Sequence, residues 1–138
     1  MANHTTLFVD MTLRAWNAEL SNTDKLFSTL TDEQLMREVS PSRNRGIYLL
    51  GHLTAEHDMM LPLLRFQEPM HGELKPVFVD APDKSIATMP SLDHLRAQWK
   101  EVNDALMDHI KRLPASEWFT RHANISEEDF PKEPHRTG

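Results

Sequence analysis

The chain has 138 residues, a formal net charge of -6 and no cysteine. That length suits one domain with a core of its own, and the missing thiols exclude disulfides, thiolate zinc sites and cysteine nucleophiles. A transition metal would have to be held by His, Asp or Glu, and an acidic chain whose longest basic cluster is Lys111-Arg112 is a poor nucleic-acid binder.

No stretch has the length and apolarity of a membrane span, and Met1-Ala2-Asn3-His4-Thr5-Thr6 carries neither the basic nor the apolar region of a leader,. The expectation is a cytoplasmic protein with no membrane partner. Residues 5–30 read as a first long helix. Phe8, Met11, Trp16, Leu20, Phe27 and Leu30 recur near helical spacing, with Arg14, Glu19, Asp24 and Lys25 between them,. Thr31-Asp32-Glu33-Gln34 fits a capping box, followed by a short turn through Leu35 and Met36,. Ser40 to Asn44 is a loop.

A second helix is predicted over 45–66, with Ile47, Leu50, Leu53, Met60, Leu61 and Leu64 as its apolar set. Gly46 and Gly51 each lower helix propensity by ~1 kcal/mol, and Gly51 permits close approach by a neighbouring backbone. Pro62 is expected to kink the last turns. Residues 67–90 form a connection punctuated by Pro69, Gly72, Pro76, Pro82 and Pro90, with Val77-Phe78-Val79 as a short extended candidate. A connection longer than ~15 residues suits a crossover or a lid. The third helix, 91–113, starts at the N-cap Ser91. Its stripe of Leu92, Leu95, Trp99, Val102, Leu106, Ile110 and Leu113 is the clearest in the chain,. Pro114 ends it, Ser116 to Phe119 can add one turn, and 120–138 is a polar tail.

His52 sits in the apolar stripe of the second helix. Such a histidine can be a metal ligand turned to the interior of a bundle, or a buried ring hydrogen-bonded to a carbonyl or carboxylate. Glu56 follows four residues later on the same face. It can be a further ligand, a general base or a group that orients the histidine, or simply a solvent-facing glutamate. His57 points elsewhere and reads as surface or interface. Asp58 suits a structural task, pairing with a basic group or capping a loop. His109 lies beside the third-helix stripe, where it is a polar neighbour or approaches His52. His4, His71, His94, His122 and His135 read as surface residues, with His4 and His122 open to recruitment by an incomplete site. The eight methionines suit core filling, and Trp16, Trp99 and Trp118 suit core or interface anchors. The chain has no His-Glu-x-x-His, Gly-x-Ser-x-Gly, phosphate-cradling or EF-hand motif.

Gly51-His52-Leu53, then Asp58, then Leu61-Pro62-Leu63-Leu64, resembles the second-helix motif of the DinB/YfiT-like metalloenzymes. The lead-in from Leu35 to Asn44 and the run from Trp118 through Phe130-Pro131-Lys132-Glu133-Pro134 are also similar to that family. The resemblance implies an all-α, four-helix up-down-down-up bundle, commonly dimeric, over residues 1–138. It implies a nickel or zinc site of three histidines, with His52 matching the one on the second helix. The other two belong to a His-x-x-x-His pair on a fourth helix. No such pair follows residue 113, His122 and His135 being too far apart, so the last helix reads as missing or incomplete.

The family implies a metal-dependent enzyme, a hydrolase or a thiol S-transferase acting on a small-molecule substrate. The alternative is a catalytically inert, truncated or degenerate scaffold that works by dimerisation or partner binding. The lost burial of a fourth helix, about 10 kcal/mol gross, predicts an apolar groove covered by self-association.

Overall fold

The computed structural model describes residues 3–137. Met1, Ala2 and Gly138, which the single-domain span includes, lie outside the described residues. Among the described residues the fold is all-helical, as a DinB-like bundle requires. It comprises α1 (His4–Thr29), α2 (Asp32–Leu35), α3 (Gly46–Leu63), α4 (Leu74–Phe78) and α5 (Leu92–Arg112). Two 3-10 turns follow, Ala115–Glu117 and Phe130–Lys132. Two compact units account for these elements: residues up to Leu30 with those from Arg112 onward, and Thr31–Lys111.

In the first unit, Asn3 caps α1 by accepting the Thr5 N–H at 3.0 Å,. The buried stripe is not the expected one. Val9 and Phe27 are buried, and Leu13, Trp16, Leu20, Thr23 and Leu30 are half-buried. They step by alternating four and three residues, which keeps one helix face continuous. Phe8 and Met11 fall outside that stripe and are exposed, Phe8 lying 5.9 Å from the ring of Phe119. After Arg112 no α-helix forms among the described residues. The tail instead closes on itself. The His122 N–H donates to the Arg136 carbonyl at 2.9 Å, and the Arg121 guanidinium donates to the Ile125 carbonyl at 2.7 Å.

In the second unit, Thr31 and Gln34 form the expected capping box at the start of α2. Ser91 caps α5 by accepting the His94 N–H at 3.2 Å. Leu95, Val102 and Leu106 on α5, and Leu50 and Leu61 on α3, are fully buried. α3 stops at Leu63, short of the expected 66. Arg65 takes φ 63°, and the N–H groups of Arg65 and Phe66 turn back to the carbonyls of Pro62 and Leu61. That left-handed closure ends the helix one residue after Pro62,.

Two glycines let neighbours reach α3. A Cβ on Gly46 would lie 2.8 Å from Leu35 Cδ2, and one on Gly51 would lie 2.3–2.5 Å from three ring atoms of Phe78. The close neighbour at Gly51 is thus an aromatic ring, not the backbone expected. Val77-Phe78-Val79 is also not an extended segment. Val77 and Phe78 close the short helix α4, whose Leu74 and Phe78, one turn apart, are both buried, and Val79 is its C-cap,.

Candidate functional site

The site is built on the polar residues of α3 and of its N-cap, Arg45. Four of them hold the connection between α3 and α5, and they do so in reverse order along it. Asp58, almost wholly buried, accepts the N–H groups of Met70 and His71, both at 2.8 Å. His52 Nδ1 bonds the Phe78 carbonyl at 2.8 Å. The Tyr48 hydroxyl donates to the Ala81 carbonyl at 2.7 Å. Arg45 donates to Asp83 from its guanidinium, at 2.8 Å at the shortest, and from its backbone N–H, also at 2.8 Å. The connection therefore runs back antiparallel along α3. It is a strap pinned at four places, the course of a crossover along the helix.

Charge and burial tighten the strap at its far end. The Asp83 side chain is only 4% exposed and that of Arg45 18%. Burial pushes the Asp83 carboxyl up, but the Arg45 hydrogen bonds and charge outweigh it and leave Asp83 below the ordinary carboxylate value,. Arg45 is held above its ordinary value by the same bonds. The Tyr48 phenol is raised by burial and by the nearby Asp83 charge.

His52 itself is half-exposed, its side chain 39% accessible. A carbonyl oxygen can only accept, so Nδ1 carries the hydrogen and the neutral ring keeps its lone pair on Nε2. That lone pair lies 3.9 Å from Glu56 Oε1. An imidazole with one nitrogen bonded to a backbone carbonyl and the other bare is oriented as metal-ligating histidines are. A catalytic centre of the zinc type, however, takes about three protein ligands. Among the described residues no group of three or more His, Asp or Glu stands in metal-holding geometry. His52 with Glu56 therefore supplies an oriented donor, and the described residues do not fit a complete centre.

The other histidines are not gathered around His52. His57, expected at the surface or in an interface, is half-buried on the α5 side of α3. Its ring lies 4.9 Å from that of Trp99, and its Nδ1–H donates to Asn103 Oδ1 at 2.7 Å. The Asn103 amide is oriented by its own donation to the Trp99 carbonyl at 2.8 Å. Burial pushes the His57 imidazole down, with Asn103 and Glu56 working weakly the other way. His71, also expected at the surface, is largely covered. Its Nε2 meets Glu101 at 3.0 Å and its Nδ1 lies 3.6 Å from Glu73. His109 does not approach His52; it stacks on Phe66 at 4.9 Å and donates to Gln67 Oε1 at 2.9 Å. Asp58 does cap a loop, as its sequence context suggests. Trp99 and Trp118 are buried as anchors, whereas Met11 and Met36 are exposed and do not fill a core.

The second unit also holds an open groove of about 530 Å³, floored by Met36, Ile47, Met89 and Leu92 and edged by Arg45 and Lys84. Both cations are spent, on Asp83 and on Glu38 respectively. His52 does not line this groove. No local pattern marks it, because its floor is assembled from the C-cap of α2, the start of α3, the end of the connection and the start of α5. No helix among the described residues is long and apolar enough to cross a membrane.

No curated protein matches the chain. The family model for the DinB superfamily matches residues 15–136, a span that contains the strap and every polar α3 residue that holds it, and the chain belongs to the DinB superfamily.

Proposed function

We propose that His52 is the ligand this chain contributes to a divalent-metal centre, nickel or zinc, in a DinB-type enzyme of the hydrolase or thiol-transferase class acting on a small molecule. The observation that carries the reading is the Phe78 carbonyl on His52 Nδ1, which leaves Nε2 bare and half-exposed. Because His52 and Glu56 fall short of a full donor set, the reading requires donors from a second copy of the chain, and so a homodimer. A cytoplasmic setting is part of this reading.

The test is elemental analysis of chelator-free protein, beside His52→Ala, with molar mass measured by light scattering. Stoichiometric nickel or zinc in the wild type, absent from the variant and confined to the dimer, is the expected result. Metal in neither sample after soaking would overturn it. A second reading, a scaffold that binds a partner without metal, is favoured by the lack of a three-donor group among the described residues and would then stand.

A further inference from the structure

We propose that Gly51 and Phe78 are positioning residues that set which nitrogen of His52 carries the proton. Phe78 is wholly buried, and its ring rests on Gly51 so closely that a Cβ there would lie 2.3–2.5 Å from three ring atoms. Real Cβ contacts are not made at that distance, and a ring enclosed on all sides has little room to retreat. The bare backbone before His52 is thus the seat of the Phe78 side chain. Seating the ring brings the carbonyl of the same residue to 2.8 Å from His52 Nδ1.

Tyr48 steadies the arrangement from one turn away. Its ring lies 5.9 Å from that of Phe78 and 6.2 Å from the imidazole, nearly parallel to the latter, while its hydroxyl holds the Ala81 carbonyl. The carbonyl of residue 78 is therefore fixed at both ends of a short span. In free neutral histidine the Nε2–H form predominates. A fixed acceptor at Nδ1 inverts that preference and frees Nε2. The seat on Gly51 thereby controls the lone pair, through the strap and without touching the imidazole. The inference gains its purpose from the ligand reading of His52, but the position of the proton is measured without metal.

The experiment is long-range 1H–15N correlation of the histidine rings in the metal-free full chain, above the imidazole titration range. Spectra would be taken of wild type, Gly51→Ala and Gly51→Ala/Phe78→Leu, with His52→Gln assigning the His52 signals. Wild type should show a protonated Nδ1 and a bare Nε2. In Gly51→Ala the methyl displaces the ring, the carbonyl withdraws, and the two nitrogen shifts should exchange or average. Leucine leaves room for the methyl, so the double variant should recover the wild-type pattern. A wild type with Nε2–H overturns the proposal whatever the variants do. So does a folded Gly51→Ala with the wild-type pattern. Should Gly51→Ala fail to fold, the double variant decides, supporting the proposal with Nδ1–H and sinking it with Nε2–H. Loss of metal binding with the tautomer pattern intact would count against the ligand reading alone.

Discussion

The two sides of α3 treat the same residue type in opposite ways. Toward the strap, His52 meets a backbone carbonyl, keeps one nitrogen bare and remains half-exposed. Toward α5, His57 meets an aromatic ring and a side-chain amide and is pushed down by burial. Five residues separate the two rings along one helix. The environment across from each decides whether the imidazole is available for chemistry or serves as a packed polar wedge. The strap side is held by polar bonds to backbone, which fix atoms in place; the α5 side is held mainly by packing, which excludes water.

The largest test of that contrast is Arg45→Ala. It strips the partner from a carboxylate that is 4% exposed, and breaking a buried pair in this way should cost about 3 kcal/mol or more in urea unfolding. The sign with pH follows from the depressed Asp83 carboxyl. The pair's contribution is full above the ordinary Asp value, is lost as pH falls through the lower folded value, and should vanish from the acid limb of the variant,. A cost below about 1 kcal/mol would mean that the pair behaves as a surface one, and the strap would be no more firmly held than a loop.

Asp58→Asn comes next. It replaces one acceptor with an amide donor facing the Met70 or His71 N–H, and the expected loss is about 2 kcal/mol, with faster amide exchange at those two residues. An unchanged exchange rate at both would show that Asp58 does not anchor the strap.

The smallest effect falls on the α5 side. The folded-state value of His57 is lowered, so below its ordinary value the unfolded chain binds the extra proton and stability declines with falling pH. The decline runs from the ordinary value of 6.5 down to the lower folded value. One proton sets a ceiling of ~1.4 kcal/mol per pH unit on that slope. His57→Gln should flatten the slope within that ceiling; a slope that is unaltered would place His57 in water and erase the contrast with His52.

Much of this was legible from residues alone, where local signals decide. The Thr31–Gln34 box, the Ser91 cap, the α5 stripe and the loop-capping task of Asp58 all follow from short-range hydrogen bonding or from strong periodicity. The α1 face was misread because Phe8 and Met11 fit a loose helical spacing while Val9 and Leu13 fit a stricter one, and residue size does not rank the two. α3 is apolar on more than one side, so periodicity could not separate the His52 face from the His57 face. α4 depends on Phe78 finding Gly51, a contact between residues far apart in the chain that no local pattern encodes. His52 as the residue of interest was visible in Gly51-His52-Leu53; the carbonyl that orients it was not.

The antiparallel course of the strap has a kinetic consequence. Its four attachments span sequence separations of 12, 26, 33 and 38 residues, from Asp58–Met70 outward to Arg45–Asp83. Loop-closure entropy grows with the length of free chain to be closed. The attachment at Asp58 therefore encloses the least, and once made it shortens the loop that His52 must close, which in turn shortens that for Tyr48 and then Arg45. The most distant pair in sequence reaches its partner at the entropic expense of a near one. Assembly from the Asp58 end toward Arg45 is thus the cheap order, like a zip fastener, and the reverse order would face the full loop at its first step.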